Sequence, residues 1–185
     1  MKRPGRAPSS LAGHLLLAHP SLKDDNFRRS VVLLSAHDGD GALGVVLNRP
    51  TGRTLGELSE ELALTTLAGL PVYHGGPVET EKLILVAWQL RAEPSEFQLS
   101  FGLNPDRAAA LVATPGVCVR GFLGYAGWSA GQLENELTHH TWFTAPAAAY
   151  NLAAAEGTGL WRLFLGSLDP ELKLLADEPE DPALN

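Results

Sequence analysis

Segments that favour β-strands fill most of the first two thirds of this chain, and segments that favour helices gather towards its end. Short apolar runs bounded by turn residues predict strands at 13–19, 30–36, 44–48, 71–74, 82–89, 97–101 and 117–123. Helical patterns are at 55–62, 105–113, 131–139, 147–155 and 160–168. Because strands and helices do not alternate one for one, this order predicts an α+β fold. Several short strands joined by tight turns could also curl towards a barrel.

Two helix starts are marked by capping residues. Asn104 precedes Pro105, which combines a favoured N-cap with proline at the first helical position. Thr54 is followed three residues later by Glu57, the spacing of a capping box. The helices at 105–113 and 55–62 are therefore expected to begin at these residues.

Length and composition predict one domain. With 185 residues, of which 45% are hydrophobic, the chain can bury a substantial core. We expect a leader at 1–12 that is disordered, a domain at 13–176 and an acidic, flexible tail at 177–185. The single cysteine, Cys118, cannot form an intramolecular disulfide, and a signal peptide or membrane helix is not indicated. A cytoplasmic location fits these features best.

A formal net charge of −7 argues against direct contact with nucleic acid. The basic residues form only small groups: Lys2, Arg3 and Arg6 in the leader, and the pair Arg28 and Arg29 in a polar turn. A protein partner is therefore favoured over DNA.

The segment 127–131 reads G-x-S-x-G, the pattern of a hydrolase nucleophile elbow centred on Ser129. An α/β-hydrolase would also need an acid and a histidine on later strand ends. The remaining chain reads as helices instead, with His139 and His140 near the far end of a helix. We therefore interpret the glycines as a close strand-to-helix turn and predict no catalytic residue.

No metal or cofactor site is predicted. The adjacent His139 and His140 point to different helix faces, and the sequence contains neither a Walker A loop nor a G-x-G-x-x-G motif. Asp38 and Asp40 lie in a glycine-containing stretch that a hairpin turn explains better than a calcium loop.

Two arginines lie in apolar surroundings. Arg49 is held between a strand end and Pro50, and Arg120 lies inside an apolar strand. A buried guanidinium needs a partner, so we expect an internal pair with a carboxylate, and a small anionic ligand is the alternative. Polar residues also group at strand ends, namely Asn48, Arg49, His74 and Gln132.

Five blocks of the sequence together resemble the AlgH/YqgE family of small bacterial proteins. The blocks are Gly13-His14-Leu15-Leu16, Asp25-x-Phe27-x-x-Ser30-Val31-Val32, Gly41-Ala42-x-Gly44-x-x-x-Asn48-Arg49-Pro50, Tyr73-x-Gly75-Gly76-Pro77-Val78 and Gly124-Tyr125-Ala126-Gly127-Trp128-x-x-Gly131-Gln132-Leu133-Glu134. They run in order from about Gly13 to Trp161. The family pattern leaves Ser129 open, and His140 departs from it because an asparagine is usual there.

The resemblance implies an AlgH-like mixed β-sheet that bends into barrel-like halves flanked by helices. For function it implies little, since members are uncharacterised and the AlgH name reflects a proposed regulatory role in alginate production. We predict a non-catalytic binding or regulatory protein that acts on transcription indirectly. Its partner would be a protein or a small anionic ligand. The alternative is an enzyme of unrecognised class, such as a hydrolase. Residues expected at a binding site are Asn48, Arg49, His74, Arg120, Tyr125, Trp128, Gln132 and Glu134.

Overall fold

A computed structural model describes residues 10–91 and 96–177. Its strands are β1 (His14–Ala18), β2 (Val31–Asp38), β3 (Gly41–Val46), β4 (Pro50–Thr54), β5 (Pro71–His74), β6 (Val78–Arg91), β7 (Glu96–Leu103), β8 (Cys118–Ser129) and β9 (Trp142–Pro146). Its helices are α1 (Leu55–Leu58), α2 (Glu60–Ala63), α3 (Pro105–Val112), α4 (Gln132–Thr138), α5 (Gly157–Leu168) and α6 (Pro170–Asp177), and a 3₁₀ turn covers Ala147–Ala149.

Strand β8 joins two parts of one mixed sheet. Its second half pairs antiparallel with β3, which continues through β2 and β1 to β9. Its first half pairs antiparallel with β6 and parallel with β5, and β6 carries β7. The sheet bends so that β7 packs on β2. The predicted α+β class with a mixed, bent sheet is therefore confirmed.

The bent sheet encloses the larger of two apolar clusters, which is centred on the buried residues Leu15–Ala18 of β1 and Val31–Leu34 of β2. The run from Val31 to Leu34 is completely buried, as a continuous apolar run predicts. Helix α5 covers this part, and the Trp161 indole donates a hydrogen bond to the Ala18 carbonyl at 2.8 Å. A smaller cluster lies between the helices α1 to α3 and the strands β5, β6 and β8.

The capping predictions agree with the structure. The Asn104 side chain accepts a hydrogen bond from the Arg107 amide at 2.9 Å, and Thr54 and Glu57 form the capping box. The predicted helix at 55–62 is nevertheless divided into α1 and α2, because Ser59 has an extended backbone with φ −140° and ψ 118°.

Three predictions about local structure are wrong. The strand predicted to end at residue 123 continues to Ser129, so Gly124 and Gly127 lie within β8, and only Gly131, with φ 75°, forms the predicted turn into α4. The alanine-rich segment 147–155 forms only a 3₁₀ turn, because residues 150–156 leave the helical path. The preceding strand ends before Pro50 as expected, but no strand was predicted at Pro50–Thr54, where β4 begins with a proline that is tolerated at the first position of an edge strand.

The predicted leader and tail fall mainly on residues 1–9 and 178–185, which lie outside the described residues. At the start of the described chain, Leu11 is buried and its amide donates to His37 Nδ1 at 2.9 Å. Within the described ranges, the longest helix has 12 residues, and none has the length and apolar character needed to cross a bilayer.

Candidate functional site

A polar turn between β1 and β2 presents two consecutive arginines, Arg28 and Arg29. The Asp24 carboxylate accepts hydrogen bonds from the Asn26 and Phe27 amides at 2.9 and 3.1 Å, which shapes the turn. Arg29 has a left-handed backbone with φ 52°. We call residues 24–29 the arginine turn.

Asn48 anchors the arginine turn from behind. Its side chain is buried, and Oδ1 accepts the Val31 amide at 2.9 Å. Its Nδ2 group donates to the carbonyls of Arg29 and Gly157, both at 2.9 Å. One amide thereby holds together the arginine turn, the end of β3 and the start of α5. The predicted binding residue Asn48 is thus occupied by internal hydrogen bonds.

Arg49 lies beside Asn48 and is half-buried. Its guanidinium donates to the Asp25 carbonyl at 2.9 Å and to the Arg28 carbonyl at 3.1 Å. Burial lowers the pKa of Arg49, and the neighbouring positive charge of Arg28 lowers it further, while Asp24 and Asp25 act in the opposite sense. The internal partners of Arg49 are therefore backbone carbonyls, where a carboxylate was expected.

These elements form a cleft of about 340 Å³, which we call the arginine cleft. Its lining residues are Arg28, Arg29, Asn48, Arg49, Pro50 and Thr158. Arg28 pairs with Asp25 at 3.5 Å, and the Arg29 guanidinium lies 5.6 Å from the centroid of the Trp161 ring. Three arginines from two segments of the chain thus line one opening.

A second cluster joins β8, α4 and β9. The Glu136 Oε2 atom accepts hydrogen bonds from the indole Nε1 atoms of Trp128 and Trp142, at 2.9 and 2.7 Å. The two indoles meet edge to face, with ring centroids 6.2 Å apart. We call Trp128, Glu136 and Trp142 the tryptophan–carboxylate cluster.

Gln132 continues this network towards Ser129. Its Nε2 group donates to Glu136 Oε1 at 3.0 Å, and its Oε1 atom accepts the Ser129 amide at 3.1 Å. The Ser129 hydroxyl also donates to Gln132 Oε1, at 3.3 Å. The hydroxyl hydrogen bond of Ser129 thus goes to the first turn of α4 and not to a histidine base.

Glu134 points to a different part of the molecule. Its Oε1 atom lies 2.8 Å from His37 Nε2, and the Leu11 amide donates to His37 Nδ1. Because an amide can only donate, the proton of the neutral imidazole is on Nε2, which donates to Glu134. Hydrogen bonds from its own backbone amide and from His37 lower the pKa of Glu134. This contact ties the start of the described chain to α4.

Phe27 connects the arginine turn with the tryptophan–carboxylate cluster. Its ring centroid lies 5.9 Å from that of Trp128 and 5.6 Å from that of Trp142. Phe27 directly precedes Arg28, so a shift of the arginine turn must also move a ring that packs on both indoles.

Arg120 is only 7% exposed and lies elsewhere, on the first half of β8. Its guanidinium is 4.6 Å from the Tyr73 ring centroid and 5.2 Å from the Trp88 ring centroid. In the described ranges it forms no ion pair with a carboxylate, so two aromatic faces replace the expected acidic partner. Burial raises the pKa of the Tyr73 hydroxyl and of the Cys118 thiol beside it.

The predicted site residues therefore divide among several places. Asn48 and Arg49 line the arginine cleft, and the amide of the exposed His74 donates to the Arg49 carbonyl at 2.8 Å. Trp128 and Gln132 belong to the tryptophan–carboxylate network, while Tyr125 is half-buried against the larger core cluster. Glu134 and Arg120 lie in neither the arginine cleft nor the tryptophan–carboxylate network. Among the described residues, no three His, Cys, Asp or Glu side chains are grouped to hold a metal ion.

Sequence reasoning missed four contributors: Arg28, Arg29, Thr158 and Glu136. The arginine pair was visible only as an isolated basic dipeptide, and its position inside the Asp25-x-Phe27-x-x-Ser30 block is the one local signal that it matters. Thr158 carries no such signal, because it comes to the cleft from the start of α5.

Replacing Glu136 with alanine is expected to lower the free energy of unfolding by about 2 kcal/mol, because two largely buried indole N–H groups lose their acceptor. Urea denaturation followed by circular dichroism measures the change. Asn135→Ala is the matched control, since Asn135 is exposed on the same helix. Equal stability of the two variants would contradict a structural role for the shared carboxylate.

The fold and the site together define a class of protein. It is an α+β domain with a bent mixed sheet, in which internal hydrogen bonds hold the Gly124–Glu134 block. The family model described as AlgH-like (DUF179) matches residues 15–173, and the chain belongs to this family. The UPF0301 protein SCO2948 of Streptomyces coelicolor is 40% identical over 188 residues, covering 96% of each chain. A UPF0301 protein of Xanthomonas campestris is 38% identical over 181 residues, covering 92% of this chain and 95% of its own.

Two solved structures share the fold. The solution structure of the AlgH protein from Pseudomonas aeruginosa has a TM-score of 0.66 and 31% identity, and covers 98% of this chain and all of its own. The crystal structure of protein DIP2367 from Corynebacterium diphtheriae has a TM-score of 0.68 and 25% identity, with coverage of 96% and 95%.

Proposed function

We propose that this protein is a non-catalytic binding protein that takes a small anion of the phosphate class in the arginine cleft. The observation that supports it is the meeting of Arg28, Arg29 and Arg49 around a cleft of about 340 Å³. None of the six described residues that line this cleft is acidic. Guanidinium groups bind phosphate oxygens through paired, charge-assisted hydrogen bonds.

The bonding of Arg49 supports the same conclusion. Backbone carbonyls orient its guanidinium through two hydrogen bonds, but they do not neutralise its charge as a contacting carboxylate would. Asp24 and Asp25 offset part of that charge. An anion in the cleft would bind more favourably because the Arg49 guanidinium is already held in place and partly desolvated.

The start of α5 contributes to the same cleft. Thr158, the second residue of this helix, lines the opening, and Gly157 is fixed there by Asn48. Backbone N–H groups in the first turn of a helix favour negative charge. The Thr158 hydroxyl adds a donor of the kind that phosphate sites use.

The size of the cleft favours a small ligand over a polymer. A volume of about 340 Å³ falls at the lower end of small-molecule pockets, and the net charge of −7 opposes a nucleic acid. A regulatory role would then be indirect: the protein would respond to its ligand in the cytoplasm without contacting DNA.

Inorganic pyrophosphate tests this proposal by isothermal titration calorimetry. We expect one molecule to bind per chain, with an affinity that weakens as salt is raised. The double variant Arg28→Gln/Arg29→Gln should bind at least about tenfold more weakly, because two of three guanidinium groups are lost.

Arg53→Gln is the matched control. Arg53 is an exposed arginine whose guanidinium donates to the Glu57 carbonyl, outside the cleft. It should leave the affinity for pyrophosphate unchanged. Absence of binding at millimolar pyrophosphate, or equal weakening by both changes, would reject the arginine cleft as the site.

A further inference from the structure

A second pocket lies on the opposite end of β8 from the tryptophan–carboxylate cluster. It has a volume of about 420 Å³ and shares no lining residue with the arginine cleft. Its walls include Trp88, Phe97, Cys118, Tyr150 and Leu152, and we call it the aromatic pocket. A volume above 300 Å³ is sufficient for a small organic ligand.

The register of the sheet explains why aromatic side chains meet here. Trp88 on β6 lies opposite Cys118 on β8, and Leu90 lies opposite Phe97 on β7. Residues two apart on a strand share a face, so these side chains line one face of the sheet. The segment that follows the 3₁₀ turn closes the other side with Tyr150, whose ring lies 4.5 Å from that of Phe164.

A buried positive charge lies directly behind this wall. Arg120 is two residues beyond Cys118 on the same face of β8, and its guanidinium contacts the face of Trp88. Burial raises the pKa of the Cys118 thiol, and the positive charge of Arg120 acts in the opposite sense. The Trp88 wall of the aromatic pocket is therefore in contact with the guanidinium of Arg120, a residue that is 7% exposed.

The charge of Arg120 is not neutralised by an ion pair within the described ranges. The Tyr73 ring that faces Arg120 carries a hydroxyl that donates a hydrogen bond to the Glu156 carboxylate at 3.2 Å, so Glu156 is linked to Arg120 only through Tyr73. Burying a charge without a contacting counter-charge is costly, so a negative group close to the wall would be stabilised.

We propose that the aromatic pocket binds a planar aromatic carboxylate, with its ring against Trp88, Phe97 and Tyr150 and its negative charge towards Arg120. The aromatic walls select a flat apolar body, because offset and edge-to-face ring contacts are favourable. The buried guanidinium selects an anion over a neutral or cationic relative. This site is separate from the arginine cleft and does not depend on it.

Naphthalene probes test both parts of this proposal on the full chain by two-dimensional amide NMR. 2-Naphthoate should shift the amides of Cys118 and residues 148–153, and bind at least about tenfold more tightly than 2-naphthylmethanol or 2-naphthylmethylamine. Excess pyrophosphate should not displace it, which separates this site from the arginine cleft.

Filling the pocket provides the variant test. Ala149 is exposed and lines the pocket, so Ala149→Phe should abolish naphthoate binding, whereas Ala154→Phe, at an exposed position outside the lining, should not. Arg120→Gln should remove the preference for naphthoate over the alcohol. If the Arg120→Gln variant does not fold, the Ala149→Phe variant still tests whether naphthoate binds in the aromatic pocket.

Several results would overturn the proposal. These are equal binding of the three probes, amide shifts confined to the arginine cleft, naphthoate binding that survives Ala149→Phe, and absence of amide shifts at millimolar naphthoate.

Discussion

Replacing Gly76 with alanine is expected to lower the free energy of unfolding by more than about 4 kcal/mol, or to prevent folding. Gly76 has φ 152°, a conformation that side chains rarely adopt, and a Cβ atom there would overlap the backbone of Tyr125 and Ala126. The overlapping atoms are main chain and cannot move aside as a flexible side chain could. The yield of folded protein and urea denaturation by circular dichroism measure the effect.

Gly69→Ala is the control for this change. Gly69 has no atom within 4 Å of its added Cβ and no positive φ. Its replacement should change the free energy of unfolding by less than about 1 kcal/mol. Equal stability of the Gly76→Ala and Gly69→Ala variants would contradict the close approach of residues 75–76 to β8.

Replacing Asn48 with alanine is expected to cost about 3 kcal/mol of stability. The change removes one buried and two partly buried hydrogen bonds and leaves the Val31 amide and two carbonyls without their partner. Asn48→Asp should be at least as unstable, because a carboxylate can accept from Val31 but cannot donate to the carbonyls of Arg29 and Gly157. Chemical denaturation monitored by tryptophan fluorescence gives both values.

Asn26→Ala supplies the comparison, since Asn26 is an exposed asparagine in the same arginine turn. It should change stability by no more than about 0.5 kcal/mol. A loss below about 1 kcal/mol for Asn48→Ala would show that Asn48 does not anchor the turn, and Asn48 would again be a candidate for direct ligand contact.

The sequence predicted the fold class and most strands, because apolar runs such as Val31–Leu34 must be buried. It failed where neighbours decide the local structure. The passage Gly124–Gly127 remains in β8 because adjacent strands approach it closely, and a Cβ at Gly124 would collide with the Gly76 and Val78 carbonyls. Local propensity alone assigns such a glycine to a turn.

The candidate site was only partly predictable for a related reason. Arg49 is 21 residues from Arg28, and Asn48 is 109 residues from Gly157, so only the folded chain brings these segments together. Residue type alone also cannot tell a binding residue from a structural one. Asn48 and Gln132 were chosen as polar residues at strand ends, and internal hydrogen bonds occupy both side chains.

The shared strand β8 limits how a protein of this kind can be divided. Of its 12 residues, the first half pairs with β5 and β6 and the second half with β3, so both parts of the sheet depend on one uninterrupted segment. A split of the gene within β8 would leave its first half with β5 and β6 but would place its second half, which pairs with β3, on the other fragment. Fusions, tags and circular permutations should therefore keep β8 in one piece and place new ends in exposed loops.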